Sequence, residues 1–232
     1  QLTVSDRIPV HSLHSYFIRG GTHAEPVRYE VDRIRNGRSF VTRRVVARQS
    51  SGAILSLSAS FQQPEDEADV QSMAPPPDIP PPDEVAETGW GAFMLRRPAI
   101  TEFGRTVGWI RLEGEPTGDP ALDACSLAFA SDATPTGAVR AAHPIQVPRA
   151  KIRETFVGAS LDHAVYFQRP GHAFGWLLAD VRCHGLVGGR GVAVGNLFTD
   201  DGVQVLTVVQ EVLLRERRDG GGGEAGLGGK DA

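Results

Sequence analysis

The sequence predicts an α+β protein made of two copies of one antiparallel sheet, with a helix packed on the second copy. The chain partly repeats itself at an offset of 150 residues, and its apolar residues form short strands separated by glycine turns. Residues 16–21 (YFIRGG) return as residues 166–171 (YFQRPG), and Val31 falls on Val181 without a gap. The identities are few, so the repeat indicates a duplication without establishing one.

The composition matches that of a soluble globular protein. Of the 232 residues, 41% are hydrophobic and 22% are charged, and a net charge of -4 gives no reason to expect nucleic acid or an acidic membrane as partner. No apolar run reaches the roughly 18 residues of a membrane span, and we expect no signal peptide at Gln1. Cys125 and Cys183 are isolated, as is typical of a reducing compartment, so we expect a cytoplasmic protein without a metal site or cofactor.

The first copy has four predicted strands, of which the last three form an antiparallel meander. Asn36-Gly37 is a strong hairpin signal, and Ser51-Gly52 marks a second turn. The predicted strands are residues 10–17, 27–34, 40–49 and 53–61.

The segment after the first meander changes character. It is acidic between residues 65 and 69 and carries triple prolines at 75–77 and 80–82, which favour extended backbone. We interpret it as a linker, with four predicted parts along the chain. These are an incomplete first domain (1–63), the linker (64–85), a second domain with the functional residues (86–217), and a disordered glycine-rich tail (218–232).

The second copy contains the best predicted helix, residues 121–131 (ALDACSLAFAS), which is apolar enough for burial on most sides. Shifted back by 150 positions, this helix falls before Gln1, so we expect the first copy to lack its N-terminal strand and helix. The alternative to such a loss is that the two copies differ by design. The strands predicted around the helix are residues 93–100, 106–113, 154–168, 176–183, 192–198 and 203–214.

Motifs in both copies resemble the acyl-CoA thioesterase II family. They include residues 10–20 (VHSLHSYFIRG), 127–132 (LAFASD), 159–164 (ASLDHA) and 208–211 (VVQE). The resemblance extends from about residue 10 to residue 215. It implies a tandem double hotdog fold, in which each antiparallel sheet wraps around a central helix. It also implies hydrolysis of medium- or long-chain acyl-CoA to free fatty acid and coenzyme A.

The same resemblance implies a site in which Asp132, Ser160 and Gln210 gather around one water. A thioester is already activated, so Asp132 can serve as the base for water while the other two hold it. By their own residue types, Asp132 is equally a turn residue and Ser160 an ordinary strand position. Gln210 is the most informative, because an amide within an apolar run needs partners. Which backbone amides stabilise the oxyanion stays open.

Arg43, Arg44 and Arg190 are candidates for contact with the phosphates of coenzyme A, since forked guanidinium donors suit phosphate oxygens. A solvated sheet face is the competing interpretation. The expected partners are the acyl-CoA substrate and further copies of the chain, because a sheet without its helix exposes apolar surface.

Two other functions compete with hydrolysis. A hotdog enoyl-CoA hydratase needs an Asp and a His on one short segment. The nearest histidine after Asp132 is His143, and a predicted loop that contains Pro135 and Pro144 separates the two. Asp162 and His163 are adjacent on a strand and therefore point to opposite faces. The second alternative is a truncated, non-catalytic subunit that binds acyl-CoA.

Overall fold

The computed structural model describes residues 1–88 and 93–217 of the chain. It confirms the α+β class, with a large antiparallel sheet and one long helix. The strands are β1 (Val10–Phe17), β2 (Arg28–Asn36), β3 (Phe40–Gln49), β4 (Gly52–Gln62), β5 (Met94–Glu102), β6 (Arg105–Leu112), β7 (Phe156–Ser160), β8 (Asp162–Phe167), β9 (Leu177–Val187), β10 (Arg190–Thr199) and β11 (Gln204–Glu216). The helices are α1 (Pro120–Asp132), α2 (Pro135–Ala141) and α3 (Ile152–Thr155). The predicted tail lies outside the described residues.

The sheet has an internal symmetry that follows the sequence repeat. Its strand order is β2-β3-β4-β1-β8-β11-β10-β9-β6-β5, with β7 added beside β11. Strand β3, shifted by 150 residues, coincides with β10. At the centre β1 pairs with β8, and His14 pairs with Ala164, its own counterpart at that offset. An approximate two-fold axis therefore passes between β1 and β8.

Helix α1 packs on one face of the second half of the sheet, which we call the inner face. It begins after Asp119, whose side chain accepts a hydrogen bond from the Ala121 backbone N–H at 2.8 Å, with Pro120 in the first turn. Leu127 is 1% exposed in a core shared with Val165 and Val208. This packing fixes the last residue of the helix, Asp132.

Two details of the helices differ from the sequence prediction. Helix α1 is not buried on most sides, since Leu122 is 53% and Phe129 54% exposed on its other face. Helix α2 was predicted as a loop because it contains proline. Pro135 sits in its first turn, where the missing N–H costs no helical hydrogen bond. No helix in residues 1–88 and 93–217 has the length and apolarity needed to cross a bilayer.

The predicted strand 154–168 is three elements: α3, β7 and β8. The two strands are separated at Leu161, where the pairing with β11 changes register. Such a break re-aims the side chains on either side of it. Ser160 therefore ends one strand, and Asp162 begins the next.

The 64–85 segment lies over the opposite face of the sheet, the outer face, in the second half. The indole of Trp109 donates a hydrogen bond to the Pro80 carbonyl at 2.8 Å. Ile79 and Val85 pack against a cluster of Val107, Trp109, Leu178 and Phe198. The segment thus buries apolar surface on β6, β9 and β10.

Candidate functional site

Asp132 enters the site from the C-terminal end of α1. The neighbouring Ser131 is fully buried, whereas the Asp132 side chain keeps 37% of its surface exposed. Its Oδ1 accepts a hydrogen bond from the Ser160 hydroxyl at 3.0 Å. Its Oδ2 has no hydrogen-bond partner within the described residues, so this oxygen can meet a water or a substrate.

Ser160 is positioned by the register change between β7 and β8. Its neighbour Asp162 stabilises that change, because the Asp162 carboxylate accepts the backbone N–H of Glu211 at 2.6 Å and contacts His14 Nε2 at 3.0 Å. Asp162 therefore points away from Ser160 and His163. The expectation that Asp162 and His163 face opposite sides of the strand is confirmed.

Gln210 projects from β11 toward the end of α1 and is fully buried. Its Nε2 donates to Ser160 Oγ at 2.6 Å, so the three predicted residues form one hydrogen-bonded cluster. The cluster joins α1, β7 and β11, which come from distant parts of the second half. The sequence argument that a buried amide must have partners is confirmed for Gln210.

The structure adds His163, to which the sequence analysis gave no role in the site. The ring is 4% exposed on β8, with Nδ1 2.7 Å from Gln210 Oε1 and Nε2 2.9 Å from Ser131 Oγ. Burial lowers the pKa of His163, and this effect outweighs the opposing influence of Asp132, whose Oδ1 is 4.0 Å from Nδ1. Strand alternation was an available signal, because Val165 lies two residues further on the same inner face.

None of the three arginines is placed at the cluster. Arg43 is 4% exposed and donates to the Thr3, Arg35 and Thr42 carbonyls, to Thr3 Oγ1 and to Asn36 Oδ1. All its donors are used within the first half, so a phosphate contact from Arg43 does not fit its position.

Arg190 lies on the outer face, and phosphate binding by this residue stays a prediction. Its Nε is 2.9 Å from Glu211 Oε1, and Glu211 follows the inward-pointing Gln210, which places this ion pair on the outer face. Arg44 is exposed, pairs with Ser58 across β3 and β4, and also lies on the outer face. For Arg44, phosphate binding stays a prediction.

The Asp–His pair needed by a hydratase is not formed by His143. That residue is buried against Phe156, with Nε2 3.8 Å from Glu216 Oε1. His163 is the histidine near Asp132, but Gln210 and Ser131 occupy both its ring nitrogens. Neither histidine is free to act on a substrate beside Asp132.

The arrangement combines one partly exposed carboxylate with a serine and an amide that are anchored behind it. A carboxylate with one oxygen fixed and the other accessible suits a general base that takes a proton from water. Beyond these hydrogen bonds, the Gln210 amide keeps a second N–H and the Ser160 oxygen a second lone pair. The described residues contain no group of His, Cys, Asp and Glu suited to hold a metal ion.

Family comparison divides the chain in the same way as the repeat. Residues 1–62 match the acyl-CoA thioesterase N-terminal domain, and residues 62–214 match the acyl-CoA thioesterase C-terminal domain. Fold and comparison together define a thioester hydrolase. The chain belongs to the acyl-CoA thioesterase II family.

Individual relatives agree with this assignment. The chain is 30% identical to acyl-coenzyme A thioesterase 8 of Mus musculus, over 92% of this chain and 75% of the relative. It is 37% identical to the crystal structure of an acyl-CoA thioesterase II from Mycobacterium marinum, with a TM-score of 0.81 over 93% of this chain and 84% of the other. A hot dog fold protein from Alicyclobacillus acidocaldarius shares the fold alone, at 20% identity and a TM-score of 0.68, over 90% of this chain and 80% of the other.

Proposed function

We propose that the protein hydrolyses medium- or long-chain fatty acyl-CoA to free fatty acid and coenzyme A. The observation that carries the proposal is the hydrogen-bonded cluster of Asp132, Ser160 and Gln210, with one carboxylate oxygen left accessible. The names of the relatives supply the substrate class, and the cluster supplies a base beside a water site.

In the proposed reaction, Asp132 accepts a proton from water as the water oxygen bonds to the thioester carbonyl carbon. Ser160 and Gln210 hold the water in line, which lowers the entropic cost of the attack. The tetrahedral intermediate then expels the sulfur, and the proton on Asp132 passes to the leaving thiolate. The products are a fatty acid and a free thiol, and the carboxylate is regenerated.

The test is thiol release from octanoyl-CoA and palmitoyl-CoA by the wild type and by Asp132→Asn. Loss of a general base typically lowers kcat roughly 10²–10⁴-fold, and we expect a loss in that range. Glu211→Gln is the matched control, because it removes a nearby carboxylate from the outer face. Full activity of Asp132→Asn refutes the base assignment.

Two further measurements separate the competing functions. Mass spectrometry of the enzyme quenched during turnover is expected to show no acyl adduct, whereas an acyl group on Ser160 contradicts direct attack by water. Tight stoichiometric binding of acyl-CoA without thiol release supports the non-catalytic subunit instead. Loss of enoyl-CoA absorbance without thiol release supports a hydratase.

We also propose that the sheet is a tandem double hotdog and that the protein self-associates. The pairing of His14 with Ala164 and the coincidence of β3 with β10 support the tandem arrangement. On the inner face of the first half, Tyr29 is 67% and Val31 42% exposed, and a second copy would cover this apolar surface. Light scattering of the purified protein tests the proposal, and a monomer at all concentrations contradicts it.

A further inference from the structure

His163 lies directly behind the proposed site. Its Nδ1 lies 2.7 Å from the Gln210 amide oxygen, whereas the amide nitrogen contacts Ser160. The His163 ring is 4% exposed. A residue so placed does not touch the substrate. Its one hydrogen bond to the three-residue cluster is the contact with Gln210, since Asp132 Oδ1 is 4.0 Å from Nδ1.

The direction of each hydrogen bond in the cluster follows from the carboxylate. An ionised Asp132 only accepts, so the single proton of the Ser160 hydroxyl points to it. The Ser160 oxygen must then accept from Gln210, which turns the amide nitrogen toward Ser160 and the amide oxygen toward His163. Because an amide oxygen only accepts, the proton of His163 must be on Nδ1.

The other ring nitrogen completes the chain. Since burial lowers the pKa of His163, the ring is neutral at neutral pH and carries one N–H. With that proton on Nδ1, Nε2 can only accept, and the Ser131 hydroxyl at 2.9 Å, which also lies 3.0 Å from the Ala128 carbonyl, is the donor within reach. From His163 through Gln210 and Ser160 to Asp132, the donors therefore point the same way.

We propose that His163 is a positioning residue that locks the Gln210 amide in the orientation the reaction needs. The inference rests on the proposed function. A rotated amide would present its oxygen to Ser160, and the hydroxyl would then donate to Gln210 in place of Asp132. The carboxylate would lose its anchor, and no amide N–H would remain beside the water.

Two substitutions at position 163 separate this role from a general packing role. The side-chain nitrogen of His163→Asn can take the place of Nδ1 and keep the donor to Gln210. His163→Gln reaches toward Ser131 and supplies no donor at the Nδ1 position. We expect His163→Asn to keep kcat within about threefold of the wild type and His163→Gln to lose at least about tenfold, a difference of about 1.4 kcal/mol in activation free energy.

The Michaelis constant is a second readout. We expect the KM for acyl-CoA to stay within about twofold in both variants, because His163 contacts no substrate. Thermal melts of both variants establish that each is folded. Equal kcat losses in two folded variants, or a change confined to KM, overturn the proposal.

The tautomer itself is measured without any assay of activity. Long-range ¹H–¹⁵N NMR of the histidine rings distinguishes an Nδ1–H from an Nε2–H ring, and the spectrum of His163→Asn identifies the signals that belong to His163 among the 7 histidines. We expect the Nδ1–H form at neutral pH, and an Nε2–H ring overturns the proposal even in an active enzyme. A wild type without thioesterase activity but with the Nδ1–H ring refutes the proposed function and leaves the orientation of Gln210 intact.

Discussion

The two halves of the sheet have the same strands but different inner faces. In the first half, Arg43 of β3 pairs with Ala59 of β4, and Ala59 pairs with Leu13 of β1. In the second half, Ala193 occupies the position of Arg43 and pairs with Gln210. His163 corresponds to Leu13, so an apolar pair in one half is replaced by the buried His163–Gln210 pair in the other. The candidate site therefore contains polar residues where the first half has Leu13 and Ala59.

The elements that cover the inner face also differ. In the first half, Val4 of the N-terminal segment packs on Val41 and Phe61. In the second half, Val139 of α2 lies so close to Gly191, the counterpart of Val41, that a Cβ there would be 2.4 Å from it. The second half gains a rigid helix pair at this face, and with it a fixed position for Asp132.

Among substitutions that exchange residues between the two halves, the largest effect is expected from Gln210→Ala. It gives the second half the residue that pairs with Arg43 in the first, Ala59. The change removes the donor to Ser160 and leaves the Nδ1–H of His163 unpaired. By analogy with loss of one preorganised donor, we expect kcat to fall roughly 10²–10³-fold in the thiol-release assay.

Ala59→Gln is the mirror-image control. It buries an amide in the first half, where Leu13 is the cross-strand neighbour, and is expected to cost about 1–3 kcal/mol of stability. Activity per folded molecule stays unchanged. If Ala59→Gln lowers kcat as much as Gln210→Ala does, the site is not confined to the second half.

Arg43→Met tests the structural role of the buried guanidinium in the first half. Several carbonyls and the Asn36 amide oxygen lose their donors, so we expect a loss of about 2–3 kcal/mol in the free energy of unfolding. Arg44→Met, on the exposed face of the same strand, is expected to change stability by less than about 0.5 kcal/mol. A raised KM for acyl-CoA in folded Arg43→Met, with stability unchanged, restores the phosphate-binding interpretation.

The outer faces differ as well. Leu178 pairs with Phe198 in the second half, beneath the 64–85 segment. The corresponding pair in the first half is Arg28 and Arg48, both ion-paired with Glu30. Leu178 and Phe198 are therefore covered by the 64–85 segment, whereas Arg28 and Arg48 lie on the surface as ion pairs.

Trp109→Phe tests this cover. It removes the hydrogen bond from the indole to Pro80, and we expect a loss of about 1 kcal/mol together with faster hydrogen exchange in the 64–85 segment. Tyr29→Phe is the control, since Tyr29 lies on the inner face of the first half, away from the 64–85 segment. If Trp109→Phe leaves hydrogen exchange in the 64–85 segment unchanged, the segment does not depend on this contact to cover the outer face.

The sequence predicted most strands because their ends carry local signals, such as Asn36-Gly37 and Ser51-Gly52. It also placed α1 and, through the resemblance, selected three residues that meet in space. It missed α2, whose Pro135 was read as a break although it begins a helix. It missed the register change at Leu161 and the burial of Arg43, since both depend on contacts between distant segments. Strand alternation places His163 on the inner face, but its contact with Gln210, 47 residues away, could not be read from the sequence.

The smallest effect is the pH dependence of stability that His163 contributes, which has no equivalent at its first-half counterpart, Leu13. Burial lowers the pKa of His163 in the folded protein below its ordinary value of 6.5. Between these two pKa values the unfolded chain binds a proton that the folded chain does not. The stability due to neutral His163 is therefore fully present above pH 6.5 and is lost as the pH falls toward the folded pKa.

Urea denaturation of the wild type and His163→Asn at several pH values measures this contribution. We expect the wild type to lose more stability than the variant as the pH falls below 6.5, and the two to run parallel above it. Burial also lowers the pKa of His11, but His11 is present in both proteins and cancels in the difference. A difference that is constant across the whole range means that His163 has the same pKa in both states. The His163 ring would then be protonated in the folded protein at acidic pH, and its Nε2–H would donate to the Ser131 oxygen.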